Sequence, residues 1–429
     1  MRSKLVPWSL LALGVWAPVL SAQECPDPAT VIRALPSPLS HVRYLADDAL
    51  QGRLGGSPGE RCAGDYIAAQ FKALGLKPAG EGGGYFQAVP LASIANSHAP
   101  GGTGRNVLGM LEGSDPARRG QVVIVGAHYD HLGLGEIGST APDQKGAVHN
   151  GADDNASGVA AMLQAARLLA EGPRPARSVL FLAFTGEESG LLGSAYFTKH
   201  PTVPLAAARA MINLDMVGRL GSQPLVVYGA DTAREWRQLL ERLGAELGIE
   251  LGFIGDGYGP SDQTSFYLVD IPVVHFFTNT HAQYHGPADD WQLIDSAGLG
   301  RIALLSAKLA REIADPAVQV TLVRGAGQKP GAVGGPGGGY GAYLGSVPDF
   351  SPVPRGVLLG GVSAGSPAEQ AGLRRGDVIV RLGGAEIADL QAMTNVLRQH
   401  KPGDTVEVVV LRGGAEQKFT AVLGSRSNR

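Results

Sequence analysis

The sequence is short of cysteine, of charge and of long apolar runs, and each shortage excludes a class of protein. Its 429 residues contain 2 cysteines, whose placement fits neither a zinc knuckle nor a redox pair. Charged residues make up 17% and the net charge is −3, which excludes a disordered polyelectrolyte and argues against a nucleic-acid partner. Beyond the N-terminus no apolar run reaches about 18 residues, so an interior membrane span is excluded.

What is present is enough apolar material for a large folded core. Hydrophobic residues make up 44% of the chain, and its length favours two or three domains at about 100–200 residues each. Residues 325–341 are rich in glycine and hold two prolines, which predicts a flexible connector. The predicted organisation is a signal peptide at 1–22, a main domain at 23–324, a linker at 325–338, a small β-rich domain at 339–424 and a tail at 425–429.

The first residues have the three-part layout of a secretory signal peptide. Arg2 and Lys4 precede the apolar stretch Leu10–Trp16, and the small residues Ser21 and Ala22 follow it. We expect cleavage near Ala22 and export to the periplasm or the medium, with no membrane span after processing. The alternative is an uncleaved N-terminal membrane anchor.

The two cysteines, Cys25 and Cys62, are candidates for one disulfide in an oxidising compartment. Such a bridge would tie the mature N-terminus to the main domain. Two unpaired thiols are the alternative, because the sequence does not give the Cα separation on which a disulfide depends.

Short apolar runs alternate with helical patterns along the main domain, which predicts an α/β fold. The runs Val122–Val125 and Val179–Phe184 are continuously apolar, as in strands that are covered on both faces. We therefore expect a mostly parallel central sheet flanked by helices. Further strands are predicted at Met211–Leu214 and Ile271–Phe277, and helices at 59–75, Val159–Leu169, Trp236–Leu247 and Ile302–Ile313.

Polar residues that follow these strands form the candidate site, because ligands in open α/β sheets bind beyond the carboxyl ends of strands. Histidine and carboxylate side chains together suit zinc, and two ions about 3.5–4 Å apart that share a carboxylate activate a water for attack on an amide. The segments that supply these side chains are His128-Tyr129-Asp130, Asp153-Asp154-Asn155, Glu187-Glu188, Asp215 and Tyr284-His285-Gly286-Pro287-Ala288-Asp289.

The order of these segments, together with Asp47–Gly59 and Asn213-Leu214-Asp215-Met216, resembles the two-zinc aminopeptidase family of bacterial leucyl aminopeptidases across residues 40–315. The resemblance implies two zinc ions per chain and peptide substrates with a free N-terminus. For individual residues it implies one zinc site completed by His128 and Asp215, a second completed by Glu188 and His285, a bridging carboxylate from Asp153 and a general base at Glu187.

Two further features are implied by the same resemblance. Asp130, two residues past His128, would hydrogen-bond that imidazole and fix its tautomer. A cis peptide bond would join Asp153 to Asp154.

The remaining histidines near the site are expected not to bind metal. His285 is preferred over His281 as the last ligand because the family pattern continues with a proline and an aspartate, which this chain has only after His285. In an extended segment His131 points away from Asp130, so we expect it at the rim of the site. The predicted non-ligands are His131, His149, His275 and His281.

Residues next to the ligands are candidate walls of a substrate pocket. Met216 follows Asp215 and Tyr284 precedes His285. A methionine and a tyrosine favour an apolar or aromatic N-terminal residue. Tyr258, in a glycine-rich loop, is a candidate hydrogen-bond donor to the tetrahedral intermediate. Plain packing is the alternative for each of these three side chains.

The segment beyond the linker carries a second set of motifs, Tyr343-Leu344-Gly345, Gly356-Val357-Leu358, Ser366-Pro367-Ala368, Ala371-Gly372-Leu373 and Gly376-Asp377-Val378-Ile379. Together they resemble a bacterial-type PDZ domain over residues 339–424. Such domains bind an extended peptide as an added strand. The resemblance implies that Tyr343, Leu344 and Gly345 form the loop that holds the peptide's C-terminal carboxylate. The alternative is a domain that only packs on the main one or has lost its ligand.

We therefore expect an exported zinc-dependent aminopeptidase that hydrolyses N-terminal residues from peptides, by attack of a metal-bound water that Glu187 activates. Three alternatives stay open: glutaminyl cyclase-like activity, carboxypeptidase activity on the same fold, and a peptide-binding protein led by the PDZ domain. The two complete sets of metal ligands argue against a cyclase, and the intact Glu187 argues against a pure binding protein. The order of the segments favours an aminopeptidase over a carboxypeptidase.

Overall fold

The computed structural model describes residues 25–31, 37–91, 102–136, 138–259, 261–326, 342–349, 353–362, 365–388 and 390–425. The predicted signal peptide and most of the predicted linker lie outside these ranges. Within them the helices are α1 (Pro28–Val31), α2 (Pro38–Leu45), α3 (Pro58–Ala73), α4 (Gly158–Glu171), α5 (Leu192–Lys199), α6 (Trp236–Leu247), α7 (Gln263–Tyr267), α8 (Ser296–Ile313), α9 (Pro367–Gln370) and α10 (Leu390–Gln399). A turn with π-helical hydrogen bonding, Ala152–Ser157, directly precedes α4.

The strands of the main domain are β1 (Lys77–Pro78), β2 (Phe86–Pro90), β3 (Thr103–Leu111), β4 (Val122–His128), β5 (Ser178–Phe184), β6 (Ala208–Leu214), β7 (Leu225–Tyr228), β8 (Leu251–Phe253) and β9 (Val273–Phe277). They form one sheet in the order β1-β3-β5-β4-β6-β9-β7-β8, with β2 also paired to β3. The central strands β5, β4, β6 and β9 run parallel. The predicted mostly parallel centre is confirmed, and antiparallel pairs at β3 and β7 complete the mixed sheet.

Helices cover the sheet on both faces, which explains the continuous apolar runs of the central strands. All seven residues of β4 and all seven of β5 are buried. On one face the core includes Phe71 of α3, Leu163 of α4 and Leu305 of α8. On the other face Phe197 of α5 and Phe266 of α7 pack against the strands. The result is a three-layer α/β domain with its strand ends open at one edge.

The N-terminal segment is fastened to the main domain through α3. Ser57 caps this helix by accepting a hydrogen bond from the Glu60 amide, and Pro58 occupies its first turn. A disulfide joins Cys25 to Cys62 of α3, with Cα atoms 5.3 Å apart. The chain segment before α2 is therefore linked covalently to a helix of the core.

The C-terminal domain is antiparallel and has its own core. Its strands are β10 (Ala342–Tyr343), β11 (Ser346–Asp349), β12 (Val357–Val362), β13 (Val378–Leu382), β14 (Ala385–Glu386), β15 (Thr405–Arg412), β16 (Ala415–Val422) and β17 (Gly424–Ser425). The larger sheet has the order β11-β12-β13-β15-β16, with β14 paired to β13. Leu359, Ile379 and Val408 lie in the buried cluster beneath it. The expected small β-rich domain is confirmed.

Across the described part of the chain, none of the helices has both the length and the apolar character that crossing a membrane requires.

Candidate metal centre

The loops at one edge of the main sheet bring polar side chains together. Because β4, β5 and β6 are parallel neighbours, their carboxyl ends lie at the same edge. The loop after β9 and the turn before α4 reach the same place. The residues assembled there are His128, Asp154, Glu187, Glu188, Asp215 and His285.

Five of these residues form two groups of potential metal ligands that share Asp154. In the first group His128 Nε2 lies 3.3 Å from Asp154 Oδ1 and 3.3 Å from Asp215 Oδ1. In the second, His285 Nε2 lies 3.1 Å from Asp154 Oδ2 and 3.2 Å from Glu188 Oε2. Two ligands that each lie about 2.0–2.1 Å from a tetrahedral zinc ion are roughly 3.3–3.4 Å apart. The spacing therefore fits one ion per group, with one Asp154 oxygen serving each.

The structure places Asp154, and not Asp153 as predicted, between the two groups. The Asp153 carboxylate faces away from the two groups: its Oδ1 accepts hydrogen bonds from the Gly218 amide at 2.6 Å and the Ser157 hydroxyl at 2.9 Å. Its Oδ2 lies 3.3 Å from His281 Nε2. Asp153 thus holds the loop after Asp215 in place.

The cis peptide bond is also displaced by one residue from its predicted position. It joins Asp154 to Asn155 instead of Asp153 to Asp154. Both errors have the same cause. Asp153 and Asp154 are the same residue type, so the sequence does not show which of their side chains points toward the other ligands in an irregular turn.

Glu187 lies beside the ligand groups without completing either of them. Its Oε2 is 4.0 Å from His128 Nε2, and its backbone amide donates to Asp130 Oδ1 at 3.1 Å. The Asp130 carboxylate is 3.7 Å from His128 Nδ1, which is longer than a hydrogen bond, while the Asp130 backbone oxygen is 3.3 Å from that nitrogen. Asp130 thus contacts His128 mainly through its backbone and holds the Glu187 segment with its side chain.

The two adjacent glutamates differ in acidity. Burial raises the pKa of Glu187 well above its ordinary value; His128 opposes this, and Glu188 and Asp215 add to it. Burial would also raise the pKa of Glu188, but His285 and His131 lower it to about 2. Two adjacent carboxyl groups whose pKa values are shifted in opposite directions suit two different roles, a proton acceptor with a raised pKa and a metal ligand with a lowered one.

The excess of carboxylates also fits cation binding. Burial alone would lower the pKa of His128, but Asp215 and Glu187 raise it well above the ordinary value. The pKa of His285 is raised in the same way by Glu188 and Asp154, against the effect of burial. Buried carboxylates that outnumber the histidines need positive charge, which protons or metal ions supply.

His285 and His131 have different roles on the second group. His285 Nδ1 is 3.0 Å from the Gly138 backbone oxygen, so this nitrogen carries the proton and Nε2 is free to coordinate. His131 is fully buried and its Nδ1 is 2.7 Å from Glu188 Oε1. The expected rim position of His131 is therefore wrong, and its contact orients Glu188.

The other three histidines have partners outside the ligand groups. His149 lies between the Ala147 backbone oxygen and the Ser139 hydroxyl. His275 Nδ1 is 3.1 Å from Asn213 Nδ2, and burial lowers its pKa to about 4. His281 faces Asp153, as described above.

An open cleft lies over the ligand groups. Met216 and Tyr284, the predicted pocket residues, lie in its lining, and Tyr284 stacks on the His285 ring with centroids 3.9 Å apart. Phe277 and Thr280 complete the wall. Tyr258 is not part of this lining; its ring packs against Tyr267, with centroids 4.8 Å apart. The predicted role of Tyr258 is not supported by this position.

A fully buried arginine, Arg53, which was not predicted from the sequence, supports the loops next to the ligand groups. Arg53 donates to the backbone oxygens of Tyr129 at 2.8 Å, Asn150 at 2.6 Å and Gly151 at 3.0 Å, and also to that of Leu45. Its segment, Asp47–Gly59, matched the aminopeptidase pattern, but the pattern did not show what the arginine contacts.

Comparisons with known proteins agree with the two-domain organisation. Residues 106–310 match Peptidase family M28, and residues 342–423 match the PDZ domain. The chain carries a peptidase family M28 domain followed by a C-terminal PDZ domain. The residues matched to the peptidase family include those of both ligand groups, and His131, Asp154 and Glu188 also lie close enough together to hold a metal ion.

Individual relatives are similar over parts of the chain. Leupeptin-inactivating enzyme 1 of Streptomyces exfoliatus is 27% identical over 313 residues, 68% of this chain and 63% of that protein. Aminopeptidase YwaD of Bacillus subtilis is 28% identical over 46% of this chain and 42% of that protein. The chain thus spans less than two thirds of the length of either relative.

Solved structures with the same fold include a Zn-dependent exopeptidase from Parabacteroides distasonis, with a TM-score of 0.54 and 20% identity, covering 67% of this chain and 99% of that one. Glutaminyl cyclase from Porphyromonas gingivalis aligns with a TM-score of 0.52 and 22% identity, over 63% of this chain and 96% of that one. At these identities the likeness establishes the fold and leaves the reaction open.

Proposed function

We propose that the main domain is a two-zinc aminopeptidase. The observation that carries the proposal is the pair of ligand groups sharing Asp154, with Glu187 beside them and outside both. When bound, the ions would polarise the scissile carbonyl and lower the pKa of a water. His128 and Asp215 would hold one ion and Glu188 and His285 the other, with Asp154 contributing to both sites.

Glu187 moves the proton in this reaction. Its carboxylate takes a proton from the attacking water as the new carbon–oxygen bond forms. It then delivers that proton to the amide nitrogen, so that the carbon–nitrogen bond breaks and a neutral amine leaves. The raised pKa of Glu187, caused first by burial, brings the carboxyl toward the pH range in which it both accepts and donates.

The polar groups of the cleft favour an N-terminal over a C-terminal substrate. Four carboxylates line it, Asp154, Glu187, Glu188 and Asp215, and no lysine or arginine is among its described lining residues. Two bound zinc ions would offset the net charge of these carboxylates, but a free ammonium group still finds carboxylate acceptors there, whereas a terminal carboxylate finds no cationic side chain to pair with. This supports an aminopeptidase over a carboxypeptidase.

The cleft wall favours an apolar first residue in the substrate. Met216, Phe277 and Tyr284 line it, and Val226 and Tyr228 pack with Met216 and Phe277 in one cluster. An apolar side chain placed there loses its contact with water without leaving a polar group unpaired. Leucine, methionine and phenylalanine are the preferred first residues in this proposal.

The PDZ domain would bind the far end of the same substrates. We propose that the loop Tyr343–Gly345 holds a peptide's terminal carboxylate, which raises the local concentration of its N-terminus at the main domain. Comparing a long peptide with its C-terminally amidated form tests this on the full chain. A higher KM for the amide supports tethering, and equal KM values contradict it.

Export and cleavage near Ala22 belong to the proposal as well. The Cys25–Cys62 disulfide supports them, because such bonds persist in oxidising compartments. N-terminal sequencing of the protein recovered from outside the cytoplasm checks the cleavage position.

The activity test is mass spectrometry of a peptide that begins with glutamine and has free ends, incubated with the zinc-loaded protein. A second peptide beginning with leucine is run in parallel. Loss of whole residues from the N-terminus supports the proposal, loss of ammonia alone indicates a cyclase, and loss from the C-terminus indicates a carboxypeptidase. Glu187→Gln should abolish the product, and Glu250→Gln, on the exposed surface, should not.

A further inference from the structure

Asp289 makes an unusual set of contacts beneath the metal centre. This residue is fully buried and lies four positions after His285. Its Oδ2 accepts hydrogen bonds from the backbone amides of both Asp153, at 2.9 Å, and Asp154, at 3.0 Å. Its own backbone oxygen accepts a third from the Ala152 amide at 2.9 Å. One residue thus binds three consecutive amides of the turn that carries Asp154.

The other carboxylate oxygen of Asp289 reaches a third loop. Arg219 Nη2 donates to Asp289 Oδ1 at 3.1 Å, and Arg219 lies four residues after Asp215. His281 Nε2 is 3.8 Å from the same oxygen. Asp289 is therefore joined to the loops that carry Asp154, His285 and Asp215, which are ligands from both groups.

Loss of these hydrogen bonds would destabilise the turn that carries Asp154. Two buried amides share one carboxylate oxygen, and removing their acceptor leaves donors that water cannot reach. An amide side chain at this position would keep one acceptor oxygen. It would place an NH₂ group either against the two backbone amides or against the Arg219 guanidinium, where a donor meets donors.

Asp289 is separate from the reacting groups. It is not among the residues that line the cleft, and its oxygens are occupied by backbone amides and by Arg219. Any influence on the ions must therefore pass through the position of the Asp154 carboxylate relative to His285.

We infer that Asp289 is a positioning residue that sets the separation of the two ligand groups by fixing the Asp154 turn against the His285 loop. This inference rests on the proposed two-zinc site. Its consequence is that the ion held by Asp154, Glu188 and His285 binds tightly only while Asp289 accepts both amides. Outer partners of metal ligands typically change metal affinity by about 10–100-fold when altered.

The test is a zinc titration, monitored by calorimetry, of the full chain and of the Asp289→Asn variant. We expect one zinc ion to bind Asp289→Asn about 10–100-fold more weakly than it binds the unaltered protein, with the other ion less affected. In the cobalt-loaded variant the visible absorption should change in intensity, since it reports coordination geometry. Two ions bound with unchanged affinity would overturn the inference.

Two further variants keep the test decisive. Asp290→Asn makes the same change one residue along, where the carboxylate accepts a hydrogen bond from the Asn150 side chain, and it should leave both affinities unchanged. If Asp289→Asn does not fold, Asp289→Glu carries the test, because it keeps the charge but moves the acceptor oxygens by one methylene group: weaker binding of one ion supports the inference, and unchanged binding overturns it. Metal binding is measured without a substrate, so a failure of the aminopeptidase proposal would be seen separately in the peptide assay.

Discussion

The carboxylate of Asp130 accepts a hydrogen bond from the backbone amide of Glu187 at 3.1 Å. Through this contact the loop after β4, which directly follows the proposed metal ligand His128, fixes the loop after β5, which carries the proposed general base. The distance from Glu187 Oε2 to His128 Nε2, 4.0 Å, depends on both loops.

We expect Asp130→Ala to lower kcat by about 10–100-fold, because the Glu187 segment loses its anchor and the base is no longer held beside the water. Steady-state kinetics on a leucyl peptide measures this. KM should change little, since Asp130 does not line the cleft. A rise in KM at constant kcat would contradict the assignment.

In the proposed function, Met216 helps to set the preference for the first residue of the substrate. It lies in the cleft wall with its side chain buried among Val226, Tyr228 and Phe277. Met216→Ala should reduce the ratio of kcat/KM between leucyl and alanyl peptides by about tenfold, because the longer side chain loses apolar contact. Met110→Ala, in β3 on the far side of β5, is the control and should keep the ratio. An unchanged ratio in Met216→Ala would remove Met216 from the pocket.

The central strands could be predicted from the sequence because burial on both faces leaves a continuous apolar run in each strand. β4 and β5 are covered on both faces and are therefore apolar at every position. β3 was not predicted, since Gly104, Arg105, Asn106 and Gly109 interrupt its pattern. Gly109 is required by packing, because an added Cβ would lie 2.7 Å from the Phe71 ring. That contact joins distant parts of the chain and leaves no local signal.

The part of the candidate site that directly follows the central strands could be predicted from the sequence. His128, Glu187, Glu188 and Asp215 follow predicted strands directly, and the structure brings them together. The choice between Asp153 and Asp154 depends on the path of an irregular turn. This turn is held by Asp289, more than 130 positions later in the sequence, and by Arg53, about 100 positions earlier. Tyr258 was misplaced for the same reason, because a glycine-rich loop does not fix the direction of its side chains.

His41 should make the stability of the protein depend on pH. Burial, followed by the charge of Arg167, lowers its pKa to about 4 in the folded protein, below the unfolded value of about 6.5. The unfolded chain therefore takes up this proton first. His41 contributes its full stabilisation above pH 6.5, and about 3 kcal/mol is lost as the pH falls from 6.5 to 4.

Urea unfolding of His41→Gln at several pH values checks this. Between pH 6.5 and 4 the variant should lose roughly 3 kcal/mol less free energy of unfolding than the unaltered protein. His200→Gln, at an exposed position, should follow the unaltered protein. Parallel curves for His41→Gln and the unaltered protein would show that His41 carries no such dependence.

Asp153 and Asp154 provide a matched pair of variants for the metal centre, because they are the same residue type in adjacent positions with different contacts. Asp154→Asn removes the negative charge shared by both ligand groups and places an NH₂ group, which cannot coordinate a metal ion, where one group had an oxygen. Asp153→Asn alters the contacts with the Gly218 amide, the Ser157 hydroxyl and His281, and it leaves the side chains of both ligand groups unchanged. We expect Asp154→Asn to lose activity. We expect Asp153→Asn to keep activity and to have a lower melting temperature.

The zinc content of these proteins, measured by mass spectrometry of purified and dialysed samples, tests the shared-carboxylate centre most directly. We expect two zinc ions per chain in the unaltered protein, two in Asp153→Asn, and at most one in Asp154→Asn. Two tightly bound ions in Asp154→Asn, or a loss of zinc confined to Asp153→Asn, would contradict the account.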